Sequence, residues 1–164
     1  MAIGAGACTA MTAPLLVFGW GNASRGDDAL GPLLVDRLRE QLAPEAGVEC
    51  LDDYQLQIEH ALDLVGRRRV LFVDTSLNCQ PPFEVTELEP SRDASFTSHA
   101  LSPRALMQVF RDLHGENPPP CTMLAIRGKR FELGEPPSDQ ALGHLEAALA
   151  WAKDWLNPRL VVSS

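Results

Sequence analysis

The chain has 164 residues, 45% of them hydrophobic and 22% charged, enough to bury the core of one globular domain without disulfides. Its formal net charge of -8 argues against nucleic acid as a partner, because phosphate neutralisation needs clustered Lys and Arg and the only such cluster is Arg67-Arg68-Arg69. Cys8, Cys50, Cys79 and Cys121 lie far apart, with no CxxC or Cys/His spacing; neither structural zinc nor a redox motif is indicated, and isolated thiols suit a reducing cytoplasm.

Residues 1–13 are small and apolar but carry no basic n-region. They read as a frayed extension, with Met11 an alternative start, and the hydrophobic stretch that follows is too short to span a bilayer. Leu15 to Phe18 is a buried-strand candidate ending at Gly19. Leu30, Leu33, Leu34, Leu38 and Leu42 then recur at helical spacing, with Asp27 or Asp28 placed to cap and Pro32 tolerable in the first turn. Val48 to Leu51 is a second short strand and Leu56 to Val65 a second helix. "RVLFVDTS" from Arg69 is apolar on both faces, as a central parallel strand should be.

"FEVTELE" from Phe83 alternates imperfectly and reads as an edge strand. Ser102-Pro103 opens the next helix as N-cap and first residue, and Leu106, Val109, Phe110 and Leu113 give it one apolar face before Gly115. A rigid connector over 117–120 leads to the strand "CTMLAI". Ser138 caps a last helix striped by Leu142, Leu145, Leu149, Ala152 and Leu156. The order βαβαββαβα predicts a three-layer α/β sandwich over 14–157, with a mostly parallel five-stranded twisted sheet and one antiparallel strand, followed by a tail over 158–164.

In such sheets the binding crevice lies outside the carboxyl ends of the strands. Asn22, Asp27 and Asp28 follow the first strand, Asp74 the third, and His99 stands in the polar loop before the helix capped by Ser102. Two carboxylates and an imidazole in one crevice make an oxygen-plus-nitrogen site for a divalent metal of intermediate hardness. Each member has a plainer role open to it: an aspartate can cap, Asp74 can close the Thr75 turn, and His99 can pack in its loop. His60, His114 and His144 lie in helical patterns and read as packed or solvated.

The opening stretch superficially suggests a nucleotide turn. However, Gly19-Trp20-Gly21 is followed by Ser24 where the third glycine of a dinucleotide fingerprint belongs, and no Gly-Lys-Ser/Thr follows. Two aspartates at the helix start would also repel phosphate from the amides that should cradle it. There is no G-x-S-x-G elbow and no HExxH helix.

"FGWGNASRGDDALGPLLVDRL", then "VLFVDTS", then "TSHALSP" before an amphipathic helix together resemble the maturation endopeptidases of nickel-iron hydrogenases, over about Leu15 to Leu156. The resemblance implies that Asp28, Asp74 and His99 contact the metal. It implies a hydrolase that makes one cut, removing a C-terminal peptide from the nickel-loaded precursor of the hydrogenase large subunit. The nickel arrives with that substrate and is not a resident cofactor. Asp28 stands where some members carry glutamate. Gln55, Leu56 and Glu59 resemble the Gln-Leu-x-x-Glu form of part of the family, in a stretch expected to face the incoming peptide.

Within this reading Asp28 is assigned to the metal and Asp27 to capping or positioning, since consecutive residues at a helix start point in different directions. Gly19 and Gly21 shape the turn, and Asn22 bonds local backbone or substrate. A close carboxylate pair sharing a proton is the alternative mechanism, with "DTS" at Asp74 a loose echo of an aspartic-protease motif. The alternative function is a non-catalytic metal-sensing chaperone or binding module for the same precursor. An acidic surface makes a monomer the default.

Overall fold

The computed structural model describes residues 12–92 and 101–156. Residues 1–11 of the expected extension, the tail and the candidate ligand His99 lie outside the described residues. The five strands are β1 (Leu15–Trp20), β2 (Val48–Asp53), β3 (Arg69–Ser76), β4 (Phe83–Leu88) and β5 (Cys121–Arg127). They form one sheet in the order β2-β1-β3-β5-β4. The β1–β2, β1–β3 and β3–β5 pairs are parallel, and only β4 runs antiparallel, on β5 at the sheet edge, as the sequence pattern predicts.

Among the described residues three α-helices pack on this sheet: α1 (Leu30–Gln41), α2 (Pro103–His114) and α3 (Asp139–Leu156). Alternation along the strands sends Val17, Leu71, Val73, Leu124 and Ile126 to one face, against the apolar stripes of α1 and α3. Leu16, Phe18, Val70 and Phe72 go to the other, against Leu106, Met107 and Phe110 of α2 and against Leu56, Ala61 and Leu64. Because β3 is central and covered on both sides, Val70 to Val73 are all fully buried. The result is the expected three-layer α/β sandwich.

Local chemistry sets the helix ends. The Ser102 hydroxyl accepts from the Ala105 N–H at 3.1 Å, Pro103 occupies the first turn, and Gly115 closes α2 in the left-handed region. The Ser138 hydroxyl likewise accepts from the Ala141 N–H at 3.2 Å at the start of α3. At Gly31 in α1, an added Cβ would come within 2.6 Å of the Trp20 carbonyl oxygen and 2.9 Å of that of Val73. A glycine there lets the start of α1 lie directly on the ends of β1 and β3.

Several expectations need correction. The second helix is not an α-helix over Leu56 to Val65: Ile58–Leu64 forms a 3-10 helix. Its entry is fixed by a side chain, the His60 Nδ1 accepting the Gln57 N–H at 2.8 Å, and Gly66 reverses the chain in the left-handed region immediately beyond it. Between these fixed ends the N–H groups of His60 and Val65 bond three residues back, to the Gln57 and Leu62 carbonyls. Neither aspartate caps α1. A 3-10 turn over Gly26–Ala29 runs straight into it, leaving Ala29 at the cap position without a side-chain bond. Leu113 is exposed and does not complete the α2 stripe. Among the described residues, no helix is long and apolar enough to cross a membrane.

Candidate active site at the carboxyl end of the sheet

β1 leads to α1 on one face of the sheet, while β3 leads through β4 to α2 on the other. The carboxyl ends of the adjacent strands β1 and β3 therefore form a topological switch point, where divergent connections leave a crevice. Asp28 and Asp74 stand there. Asp74 lies one residue beyond the Gly19–Val73 pair, and its backbone is paired with Ala125 of β5.

The turn that carries Asp28 is held by its own backbone. Gly21 has φ 146°, and a Cβ there would collide with the Asp28 carbonyl oxygen, so only glycine lets the chain fold back at this point. The Asn22 N–H then donates to Asp28 Oδ2 at 2.9 Å, and Asn22 Oδ1 accepts from the Ser24 N–H at 2.8 Å. The Asn22 side chain thus makes the local backbone bond anticipated for it. Burial pushes the Asp28 carboxyl above the usual carboxylate range, opposed by the Asn22 N–H and the charge of Arg25.

Asp74 is pushed further, to about 7. Burial is the main cause, and the neighbouring charge of Asp28 adds to it; the Thr75 N–H, which donates to Asp74 Oδ1 at 2.7 Å, and the Trp20 side chain act against it. Trp20 is itself fixed edge-on against Phe18 and Phe72, with ring centroids 6.3 and 5.8 Å away. The described part of the site is thus two carboxylates, one of which titrates near neutral pH. Among the described residues, no three metal-ligating side chains gather; His99 lies outside them.

Asp27 has a different task from its neighbour. Its side chain is 1% exposed, and it accepts from the N–H groups of Lys129 (2.6 Å), Arg130 (3.3 Å) and Ser138 (2.7 Å) and from the Ser138 hydroxyl (3.0 Å). Its N–H donates to the Arg130 carbonyl at 3.0 Å, and its own carbonyl accepts from the Thr75 hydroxyl at 2.7 Å. Burial alone would raise its pKa, but the four donors outweigh burial and hold it below the usual value. Asp27 is a junction tying the turn to the β5–α3 loop, not a helix cap. Thr75 completes the clasp by fastening β3 to the turn, which keeps Asp28 beside Asp74.

Sequence reasoning missed Thr75, Trp20 and the second role of Ser138. Thr75 and Trp20 directly follow or end an apolar strand run, and that placement was the available signal. Gln55 sits just past β2 with its side chain exposed. It is at the same end of the sheet as the pair but in contact with neither of its members by hydrogen bond.

The fold and the site together define a class: doubly wound α/β proteins with an acid pair at the β1/β3 switch point. Among solved structures, the [NiFe] hydrogenase maturation protease HycI from Thermococcus kodakarensis KOD1 matches with a TM-score of 0.69 and 20% identity, over 90% of this chain and 95% of its own. The hydrogenase maturating endopeptidase HybD from E. coli matches with a TM-score of 0.70 and 21% identity, over 88% and 93%. The hydrogenase 2 maturation peptidase from Thaumarchaeota archaeon SCGC_AB-539-E09 gives 0.62 and 24%, over 87% and 97%. Neither a family model nor a curated protein matches the chain; the likeness is one of fold.

Proposed function

We propose that this chain is an endopeptidase that removes the C-terminal peptide from the nickel-loaded precursor of a hydrogenase large subunit. The observation that carries the reading is the pairing of Asp28 with Asp74, whose carboxyl is pushed up to about 7, at the switch point of a fold whose solved examples are named as hydrogenase maturation proteases. Two half-buried acids that repel each other form a receptor for a divalent ion, because the ion's charge removes the repulsion and releases the proton. Nickel is part of the substrate here, held by substrate thiolates. Asp28 and Asp74, with His99 from the resemblance, supply the remaining ligands, and an ion so placed polarises the scissile carbonyl or acidifies bound water.

An empty pair is strained by its own charge and a filled pair is relaxed, so the enzyme reads nickel as the mark of an assembled substrate. The same geometry suits direct catalysis by two carboxylates sharing a proton, and that mechanism would cut nickel-free precursor. The deciding experiment incubates the protein with nickel-loaded and nickel-free precursor and measures the C-terminus by mass spectrometry. A shortened product only with nickel supports the reading; equal cutting of both forms selects the carboxylate mechanism. Intact precursor bound without cleavage would leave a chaperone instead of a protease. The thiols of Cys50, Cys79 and Cys121 are free, which fits action in a reducing cytoplasm.

A further inference from the structure

A cavity of about 160 Å³ lies between the β3–β4 connection and the start of α3, lined by Leu77 and Pro81 on one side and by Arg127, Lys129 and His144 on the other. No Asp or Glu lines it. In a chain of net charge -8, a cavity walled by a guanidinium, an ammonium and an imidazole stands apart by its sign. Among the described residues, no carboxylate lies within ion-pair distance of any of the three. The acids nearest along the fold are otherwise engaged: Asp139 is exposed at the start of α3, and Asp27, behind Gly128, already accepts four donors.

The walls of the cavity are tied together. Arg127 spans both loops, its Nη1 donating to the Cys79 carbonyl at 2.6 Å and its backbone N–H to that of Pro82 at 3.0 Å. The Ser76 carbonyl accepts the Gly128 N–H at 2.9 Å, and the Ser76 hydroxyl accepts the Cys79 N–H at 3.1 Å. From α3, His144 Nδ1 lies 3.0 Å from the Arg127 carbonyl. A carbonyl can only accept, so Nδ1 carries the hydrogen, and Nε2 has no partner among the described residues.

The same walls abut the acid pair. A Cβ on Gly128 would fall 2.5 Å from the Thr75 methyl and 3.1 Å from Asp27 Cβ, so Gly128 packs on the clasp that keeps Asp28 beside Asp74. Leu77 follows Asp74 by three residues of chain, which span at most roughly 11 Å. The cavity and the pair therefore stand at one end of the sheet in fixed relation.

We infer that this cavity takes a carboxylate of the C-terminal peptide that the enzyme removes, supplied by the peptide's own terminus or by an acidic side chain within it. This rests on the endopeptidase reading. Cations without acids of their own recognise a carboxylate through charge-assisted hydrogen bonds, whereas the rest of an acidic protein repels one. The peptide beyond the cut always carries such a group, at its end. A hold on it across the end of β3 sets the direction in which the tail crosses the crevice, and a single small contact lets the fragment leave once it is cut.

The test has two arms. In the first, acetate alone is titrated into the full chain while the His144 ring is followed by NMR; wild type should show a saturable shift that Lys129→Gln weakens several-fold. In the second, nickel-loaded precursor is cut with its C-terminus as acid or as amide, and with the acidic side chains of its tail as amides. One of these changes should raise KM roughly tenfold, the effect of one charge-assisted hydrogen bond, with kcat at saturation kept, and that change names the source. Lys129→Gln should raise KM for unmodified precursor by a similar factor and erase the difference between tails. His144→Asn, which keeps a donor for the Arg127 carbonyl and removes Nε2, should act in the same direction. An acetate response that does not saturate, or is the same in Lys129→Gln, overturns the site. Saturable acetate binding with a KM indifferent to both tail changes overturns the assignment to the peptide and leaves the protease reading intact. If wild type cuts no precursor, the protease reading falls and takes this inference with it, and the acetate arm keeps the two failures apart.

Discussion

Asn in place of Asp74 keeps the carbonyl oxygen that accepts the Thr75 N–H and removes the ionisation, and its cost beside the Trp20 donor is the same at every pH. The folded carboxyl titrates at about 7 against 3.8 in the unfolded chain, and at 1.36 kcal/mol per unit the difference is roughly 4 kcal/mol. Since the folded value is raised, the stabilising contribution is complete below the unfolded pKa and is lost as pH rises through about 7. Wild type should therefore weaken between pH 4 and 8, and Asp74→Asn should weaken much less. Part of the shift is relayed by Asp28, which still ionises, so a difference of about 2 to 4 kcal/mol between the two pH extremes is expected. That is on the order of 5 to 15 °C in thermal midpoint for a domain of this size. Comparing the mutational effect at pH 4.5 with that at pH 8 cancels any packing change common to both. Parallel pH profiles for the two proteins would refute the buried-acid account. Peptide release from nickel-loaded precursor should fall by orders of magnitude in the same variant.

Asp28→Asn should likewise abolish cleavage while leaving the thermal midpoint at or above wild type, because it removes the charge that raises Asp74; its Asp74 should titrate lower, measurable by carboxyl NMR. Asp27→Ala should cost about 3 to 5 kcal/mol in denaturant unfolding, since three backbone N–H groups and a hydroxyl lose their buried partner. Asp27→Asn should also destabilise, by roughly 2 kcal/mol, because its NH2 must face a donor; normal stability there would contradict the junction. Gly21→Val should lower the midpoint and soluble yield, the new Cβ colliding with the turn that carries Asp28, and normal processing would count against that geometry.

The strand order and the position of the crevice were legible because they rest on local patterns. Val70 to Val73 are apolar on both faces and can only be central, and the Ser102-Pro103 pair announces a helix start wherever it lies. The 3-10 helix reads as an α-helix because Ile58, Ala61, Leu62 and Val65 recur at α-helical spacing with Glu59, His60 and Asp63 on the other side. The junction at Asp27 was invisible for a different reason. Its partners are backbone N–H groups 102 to 111 residues away, and a peptide N–H has no letter in the sequence. An aspartate doublet beside a helix invites a capping role, and the competing long-range bonds appear only once β5 and α3 are in place.

The adjacent acids at 27 and 28 also make unequal targets for random mutation. A screen that scores abundance would find position 27 intolerant and position 28 permissive, since one acid sustains the fold and the other strains it. A screen that scores processed hydrogenase would reject changes at both and so make them look equivalent. Only the two screens read together would show that this doublet is not a redundancy: the first letter is held by architecture, the second by chemistry.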